Sequence, residues 1–214
     1  MRVVLFDVGN TLAHLDYAFL AGRSGVAVEA MAHADALVRR HGWPAGEGFF
    51  PGYFGAVAAT LGLDAQAGRA LAIAAADEHR RRPGGLWNDV DPEAGAVLAR
   101  LAAAGLRLGV VSNADGRVEE QLRGFGLRQH FAVVVDSHTV GVAKPDPRIF
   151  HAALQALGAV PGEALYLGDL YAVDVRGAQA CGLAAALYDR WDAWPDAPCA
   201  RIRRLGALPS LLGL

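Results

Sequence analysis

The 214-residue chain is 53% hydrophobic and 20% charged, which is typical of a folded globular protein and excludes an intrinsically disordered one. Its formal net charge of -2 argues against nucleic acid as the main partner, and no apolar run is long enough to predict a membrane span. Cys181 and Cys199 fit neither a metal site nor a disulfide framework, so we expect two reduced thiols, at least one partly buried. Asp7 interrupts the first apolar run, so no signal peptide is predicted and a cytoplasmic location is expected.

The first predicted element is a buried strand that ends at a carboxylate. Val3 to Phe6 are consecutive apolar residues, too few for a helix, and such a run suits a strand of a parallel sheet that is covered on both faces. Asp7 ends the run and leads into Gly9 and Asn10, which are typical turn residues. A carboxylate at this end of a strand faces the crevice in which open α/β sheets bind ligands, although in isolation it also fits a turn cap.

Helical patterns then fill the chain from Leu12 to Arg82, where no strand pattern is found. Helices are predicted over Val26 to Arg40, from a broken aromatic stretch at Phe49 through to Leu61, and over Asp64 to Arg82. The aromatic residues of this segment fit a hydrophobic core or a dimer surface better than contacts with an apolar substrate; they are Tyr17, Phe49, Phe50, Tyr53 and Phe54. Pro83-Gly84-Gly85 then predicts a linker.

From Trp87 onward, strand and helix patterns alternate, which indicates βαβ units and a parallel sheet. The predicted strands are Leu106 to Ser112, Ala132 to Asp136, Ala164 to Gly168 and Leu183 to Tyr188. The predicted helices begin after Pro92, at Val118, at Pro147 with Asp146 as its cap, and at Val173. Right-handed crossovers place the carboxyl ends of these strands on one edge of the sheet.

The pattern therefore predicts two domains. Residues 1–13 and 87–214 form an α/β core with a Rossmann-like parallel sheet, and residues 14–86 form an inserted all-helical domain. Because the insert begins directly after the first strand and its carboxylate, we expect it to act as a lid over the site.

Four groups of polar residues stand at or near the carboxyl ends of the predicted strands. They are Asp7 with Thr11, Ser112-Asn113, Lys144 before Pro145, and Gly168-Asp169 followed by Asp174. In order and spacing they resemble the motifs of the haloacid dehalogenase-like (HAD) hydrolase superfamily. The resemblance covers the whole chain, including a helical cap between the first and second motifs, and it implies a HAD fold and a phosphatase acting on a small phosphate monoester.

The resemblance implies a nucleophile and a magnesium site. Asp7 would attack phosphorus and form an aspartyl-phosphate. Asp7, Asp169 and the main-chain carbonyl of Gly9 would bind Mg2+, which offsets the repulsion between Asp7 and the anionic phosphate. Asp174 would complete the metal site by orienting a metal-bound water or Lys144, although its position also fits a helix cap.

The resemblance also implies a set of phosphate ligands. Ser112 and Lys144 would contact the non-reacting phosphoryl oxygens, and Thr11 and Asn113 would complete the phosphate-binding site. Lys144 is the only lysine among 20 basic residues, yet it stands where the motif expects a lysine. An ammonium is a compact charge that fits between a carboxylate and a phosphate, whereas a planar guanidinium is larger and directed differently.

Gly9 departs from the family pattern. The family's phosphatases carry a second Asp at this position, which protonates the leaving oxygen and then activates the hydrolytic water. Glycine keeps the metal-binding carbonyl but supplies no proton, so we expect weak phosphatase activity. His14 and Asp16 follow the motif and are candidates for reaching the site, although a solvated pair beside the hinge is the simpler interpretation.

Two alternatives stay open. A 2-haloacid dehalogenase-like enzyme would attack carbon without a metal, but such relatives typically lack the arrangement of Gly168, Asp169 and Asp174. A non-catalytic homologue would bind a phosphorylated ligand or a partner protein. A Schiff-base enzyme with a cap lysine is excluded, because no lysine lies between Leu12 and Arg82. The expected partner is a small phosphorylated substrate, and the expected assembly is a monomer or a homodimer.

Overall fold

The computed structural model describes residues 1–44 and 48–214. Residues 45–47, which fall within the predicted helical insert, lie outside the described part. The chain divides into two compact units, of which the first comprises Met1–His14, Asp89–Arg190 and Asp196–Leu214, and the second Leu15–Asn88 and Trp191–Pro195. Within the described ranges, no helix has both the length and the apolar character that crossing a membrane requires.

The first unit is built on a six-stranded sheet. In spatial order its strands are Val133–Asp136 (β5), Arg107–Ser112 (β4), Val3–Phe6 (β1), Ala164–Gly168 (β6), Ala184–Tyr188 (β7) and Ala200–Ile202 (β8). All neighbouring strands are parallel. β1 lies inside the sheet, and its four apolar side chains are fully buried, as expected for a strand covered on both faces. The α/β fold predicted from the sequence is confirmed.

Helices connect the parallel strands of the first unit. They are Ala94–Ala103 (α5), Val118–Gly124 (α6), Ser137–Val140 (α7), Pro147–Ala156 (α8) and Arg176–Ala180 (α9), and Leu208–Leu211 (α10) follows the last strand. α8 begins as predicted, because the Asp146 carboxylate accepts a hydrogen bond from the Arg148 N–H and Pro147 takes the first helical position. A π-helical turn, Tyr171–Val175, precedes α9, so the helix predicted from Val173 begins in an irregular turn.

Within the described residues, four helices form the second unit. They are Tyr17–Ser24 (α1), Val28–His41 (α2), Phe49–Thr60 (α3) and Ala65–Arg81 (α4). The predicted break in the aromatic stretch is wrong: Pro51 stands in the first turn of α3, where its missing N–H removes no helical hydrogen bond. Tyr53 and Phe54 are buried in the core of this unit, in agreement with the core role expected for the aromatic residues, whereas Phe49 is exposed.

Short strands differ most from the sequence prediction. Ala13–Leu15 (β2) and Trp87–Val90 (β3) form a separate two-stranded sheet. Because β2 lies between Leu12 and Arg82, the expectation of no strand in that range is wrong. β8 is also absent from the predicted elements. Strands of three residues are too short to show the alternation on which such predictions depend. The chain leaves the first unit within β2 and returns to it within β3.

His14 on β2 is buried, so the interpretation of a solvated pair with Asp16 is wrong. Its Nε2 lies 3.1 Å from Asp91 Oδ2, and the Tyr188 hydroxyl donates to the same oxygen at 2.7 Å. Burial is the main cause that lowers the pKa of His14. Burial would raise the pKa of Asp91, but the hydrogen bonds from His14 and Tyr188 outweigh it and lower that pKa. Asp16 instead caps α1 and pairs with Arg82 at 2.6 Å.

The lowered pKa of His14 predicts a loss of stability in mild acid. As the pH falls below the ordinary value of 6.5, the unfolded chain takes up a proton at His14 before the folded protein does. The free energy of unfolding should therefore decrease below that pH, by at most about 1.4 kcal/mol per pH unit, until the folded pKa is reached. His14→Gln should weaken this dependence in urea titrations between about pH 5 and pH 7.5, because the amide donates to Asp91 without titrating. The control is the exposed His151→Gln; an unchanged dependence in His14→Gln would contradict the prediction.

Gly109 on β4 predicts a packing constraint at the centre of the sheet. A Cβ at this position would lie 2.8 Å from both Leu5 Cδ2 and Val133 Cγ1. Gly109→Ala should therefore lower the free energy of unfolding by about 1–3 kcal/mol, as measured in urea, because both neighbours must move within a packed core. Gly124→Ala is the matched control, since nothing lies within 4 Å of its added Cβ; equal stabilities of the two variants would refute the argument.

Candidate active site

The register of the sheet brings the motif residues to one edge. The last residue of β1 aligns with Val110 on β4 and with Leu167 on β6. Asp7 continues this pairing, because its N–H donates to the Leu167 carbonyl at 2.9 Å. Ser112 ends β4 and Asp169 directly follows β6, so these residues flank Asp7 on the two neighbouring strands.

Three carboxylates converge at this edge. Asp7, Asp169 and Asp174 each place one oxygen within 4.8 Å of the others, and all three residues are buried. Asp174 Oδ2 accepts a hydrogen bond from the Leu170 N–H at 2.8 Å, which fixes the carboxylate against the turn after β6. Gly168 allows this approach, because a Cβ there would lie 2.5 Å from Asp174 Cγ. The structure therefore brings together the side chains predicted to form the metal site.

The Lys144 ammonium is buried among these carboxylates. Its Nζ donates to Asp7 Oδ1, Asp174 Oδ1 and the Tyr166 hydroxyl, each at 2.7 Å. An ammonium has three N–H donors, so these contacts use all of them. One ammonium against three carboxylates leaves a formal net charge of -2 in the cluster. Burying such an excess is unfavourable unless a cation offsets it, and the donors are hard oxygens of the kind that Mg2+ prefers.

The charges of the cluster shift one another's protonation. Burial is the largest cause that raises the pKa of Asp7, and Asp174 raises it further, whereas Lys144 and a hydrogen bond from Ser112 oppose the rise. Burial would lower the pKa of Lys144, but Asp174 and Asp7 outweigh it and raise that pKa. Lys144 therefore stays an ammonium, and its charge together with the Ser112 hydroxyl favours the carboxylate form of Asp7, the form that its predicted role as a nucleophile requires.

Asn113 holds the main chain of Lys144. Its side-chain Oδ1 accepts from the Lys144 N–H at 2.7 Å, and its Nδ2 donates to the Lys144 carbonyl at 2.9 Å. This pair of hydrogen bonds uses the side-chain amide, so the predicted phosphate contact of Asn113 depends on its main-chain N–H. These hydrogen bonds could not be predicted from the sequence, because the two residues are 31 positions apart and lie on different connections.

The turn after Asp7 is held by main-chain hydrogen bonds. The Val8 carbonyl accepts from the N–H groups of Thr11, Leu12 and Ala13, at 3.2, 2.9 and 3.0 Å. Among the described residues, the main-chain hydrogen bonds of this turn are accepted by the carbonyls of Val8 and Ala13 and not by that of Gly9, the predicted metal ligand. The Thr11 hydroxyl is buried without a hydrogen-bond partner among the described residues, so its phosphate contact stays a prediction.

Tyr166 is the site residue that the motifs do not include. It is fully buried on β6, where its hydroxyl contacts Lys144 and donates to the Val111 carbonyl at 2.8 Å. The available signal was a tyrosine within an otherwise apolar buried strand, since a buried hydroxyl needs a hydrogen-bond partner. The identity of the partner could not be read from the sequence. His14, in contrast, is hydrogen-bonded to Asp91 rather than to the carboxylate cluster.

Known proteins are similar to this chain in sequence. A relative from Bos taurus, haloacid dehalogenase-like hydrolase domain-containing protein 3, is 36% identical over 86% of this chain and 80% of its own length. A phosphoserine phosphatase from Thermus thermophilus is 43% identical over 57% of this chain and 47% of its own length.

Solved structures with similar folds include both phosphatases and dehalogenases. A HAD phosphatase from Thermococcus onnurineus is 27% identical with a TM-score of 0.64, and the alignment covers 100% of this chain and 98% of that chain. A 2-haloacid dehalogenase from Pseudomonas syringae is 25% identical with a TM-score of 0.57, over 100% and 98% of the two chains. The fold alone therefore does not select between the two chemistries.

The family model for haloacid dehalogenase-like hydrolases matches residues 1–182, which contain all four motif groups and the carboxylate cluster. The match spans most of the chain and agrees with the nearly full-length similarity to the bovine relative. The chain belongs to the haloacid dehalogenase-like hydrolase family.

Proposed function

We propose that this hydrolase is a Mg2+-dependent phosphatase that cleaves a small phosphate monoester through an aspartyl-phosphate on Asp7. The observation that carries the proposal is the buried cluster of three carboxylates and one ammonium, with its formal net charge of -2. A dehalogenase that attacks carbon has no need of this excess negative charge beside its nucleophile. A phosphatase that binds a divalent cation does need it.

Asp7, Asp169 and the Gly9 carbonyl would hold the cation, and Asp174 would orient Lys144 beside them. These donors are all hard oxygens, and the carboxylates already lie within 4.8 Å of one another. When bound, Mg2+ would reduce the repulsion between the Asp7 carboxylate and the anionic phosphate. The chain thus supplies both the ligands and the charge that the ion requires.

In the first step, an Asp7 oxygen attacks phosphorus while the bond from phosphorus to the leaving oxygen breaks. The leaving oxygen departs with the bonding electron pair. In the second step, a water oxygen attacks the phosphorus of the aspartyl-phosphate and releases its proton to solvent. Asp7 departs as a carboxylate and inorganic phosphate is formed. Lys144 and Ser112, which already lie against Asp7, are placed to stabilise the phosphoryl oxygens in both steps.

The first test of the function is a screen of phosphate esters and 2-haloacids with and without Mg2+. We expect phosphate release that depends on Mg2+ and stops when the ion is chelated. The matched control is Asp7→Asn, which has nearly the same shape but no nucleophilic carboxylate and should release no phosphate. Halide release without metal would instead identify a dehalogenase, and binding of phosphate esters without turnover would identify a non-catalytic homologue.

Gly9 predicts a specific catalytic weakness. A positioned general acid–base contributes about 10²–10⁴-fold, and no side chain at position 9 supplies one. Esters with poor leaving groups should suffer most, because their leaving oxygen needs a proton as the bond breaks. We therefore expect activity biased toward aryl and acyl phosphates, with an initial burst of leaving group because the aspartyl-phosphate is hydrolysed slowly.

Gly9→Asp tests this explanation. Gly9 is not among the residues with positive φ in the described part of the chain, whereas its neighbour Asn10 is (φ 54°). An L residue can therefore adopt the backbone conformation found at position 9. The variant should hydrolyse alkyl phosphates at least about tenfold faster than the parent. Gly9→Asn is the matched control, since its amide has a similar shape but transfers no proton, and circular dichroism checks that both variants fold. Equal rates for a folded Gly9→Asp and its parent, together with brisk parental turnover of alkyl phosphates, would show that another group transfers the proton.

A further inference from the structure

The three hydrogen bonds of the Lys144 ammonium differ in kind. Two go to carboxylates, Asp7 and Asp174, and the third goes to a neutral hydroxyl, that of Tyr166. All three distances are 2.7 Å, so the three acceptors hold the nitrogen equally closely. In this arrangement Lys144 has no N–H left for a phosphate, and it must release one acceptor when the phosphate is bound.

Tyr166 is held firmly in place. Its hydroxyl lies 2.8 Å from the Val111 carbonyl and 3.2 Å from Asp174 Oδ1, and it donates its one proton to the nearer carbonyl, so its oxygen is available to accept from Lys144. Tyr166 lies on β6 and Val111 on β4, the strands on either side of β1, and the hydroxyl therefore spans the strand that ends at Asp7. The ring packs edge-on against Phe150, with 5.2 Å between centroids and 79° between planes. Main chain and core packing together fix this acceptor.

We propose that Tyr166 is a positioning residue that, with Asp174, holds the Lys144 ammonium while its third N–H turns from Asp7 to a phosphoryl oxygen. This change of acceptor rests on the proposed function, because Asp7 loses its negative charge and becomes a weak acceptor when it takes up the phosphoryl group. Asp174 keeps its charge, and Tyr166 keeps its geometry because it is bonded to the sheet. The ammonium therefore moves between Asp7 and the phosphate without leaving its other two partners.

A neutral third acceptor is well suited to holding the Lys144 ammonium in this cluster. A further carboxylate would add another negative charge to a cluster that already carries an excess. Burial is the largest cause that raises the pKa of Tyr166 well above its ordinary value, and Asp174 and Asp7 raise it further, so the hydroxyl stays neutral. Without the hydroxyl, the ammonium would be held by the two carboxylates alone, and the Val111 carbonyl would lose a donor.

The kinetic test compares Tyr166→Phe with Tyr188→Phe. Tyr188 is the matched control, because it is also buried, lies on the neighbouring strand β7 and donates to a carboxylate, that of Asp91, at 2.7 Å. With Mg2+ and an aryl phosphate, kcat of Tyr166→Phe should fall about tenfold or more while KM changes little, since the lost hydrogen bond is to a charged group that acts during the reaction. Tyr188→Phe should keep kcat close to that of the parent. A folded Tyr166→Phe protein with parental kcat, or equal losses of kcat in both variants, would overturn the proposal.

A spectroscopic test needs no substrate and does not depend on the proposed function. Because Lys144 is the only lysine, a protein labelled with nitrogen-15 lysine should give a single ammonium signal by NMR. We expect this signal to be visible in the parent, because all three N–H groups are bonded in a buried site. It should shift or broaden in Tyr166→Phe and stay unchanged in Tyr188→Phe. An identical signal in Tyr166→Phe and the parent would overturn the proposal even if the protein proves not to be a phosphatase.

If Tyr166→Phe does not fold, the proposal can be tested on the parent protein alone. The ammonium protons should then show a nuclear Overhauser contact to the ring of a single tyrosine, since Nζ lies 5.3 Å from the centroid of the Tyr166 ring. Absence of the ammonium signal, or of any contact between it and a tyrosine ring, would overturn the proposal. Its presence would support it independently of any variant.

Discussion

The contact between the Lys144 ammonium and the Asp7 and Asp174 carboxylates is the interaction on which the site depends. Removing ions from water is unfavourable, so each buried charge needs partners with good geometry. The chain supplies them from several elements: Asp7 follows β1, Asp174 lies in the turn after β6, and Asn113 holds the main chain of Lys144. Removal of the ammonium would take away the cation that contacts both the Asp7 and Asp174 carboxylates in a buried site, which is strongly unfavourable.

The parallel sheet makes this concentration of charge possible. β1 pairs with both β4 and β6, so residues that follow these strands emerge side by side at one edge. Glycines allow close packing at both places. The side chains of the neighbouring strands pack against Gly109 within the sheet, and the Asp174 carboxylate packs against Gly168 at the edge. Packing of the sheet and geometry of the site are therefore coupled, since a Cβ at Gly168 would displace the Asp174 carboxylate that binds Lys144.

The features that could be predicted from the sequence are those that leave a local pattern. The buried run of β1, the alternation of strands and helices, and the Asp146-Pro147 helix start each depend on neighbouring residues, and each is found in the structure. β2 and β8 were missed because three residues show no periodicity. The burial of His14 was missed because Asp91 and Tyr188, its partners, are distant in sequence.

The same limit applies within the site. Family motifs identified the charged residues, because their order along the chain is distinctive. They did not identify the neutral groups that hold those charges, the Tyr166 hydroxyl and the Asn113 side-chain amide. Such contacts depend on three-dimensional packing between strands. A single sequence does not show which distant group a buried amide or hydroxyl will bind.

Gly9 shows that charge placement and proton transfer are separable in this architecture. The turn after Asp7 is held by main-chain hydrogen bonds to the Val8 carbonyl, so its shape does not require a side chain at position 9. The carboxylate cluster and its lysine likewise make no use of one. Glycine in place of the usual Asp therefore removes a proton donor while leaving the charges, the turn and Asp7, the proposed nucleophile, in place. Under the proposed mechanism, such a chain keeps every group assigned to the phosphate and the cation, and it is limited only by the step in which the leaving oxygen or the attacking water exchanges a proton.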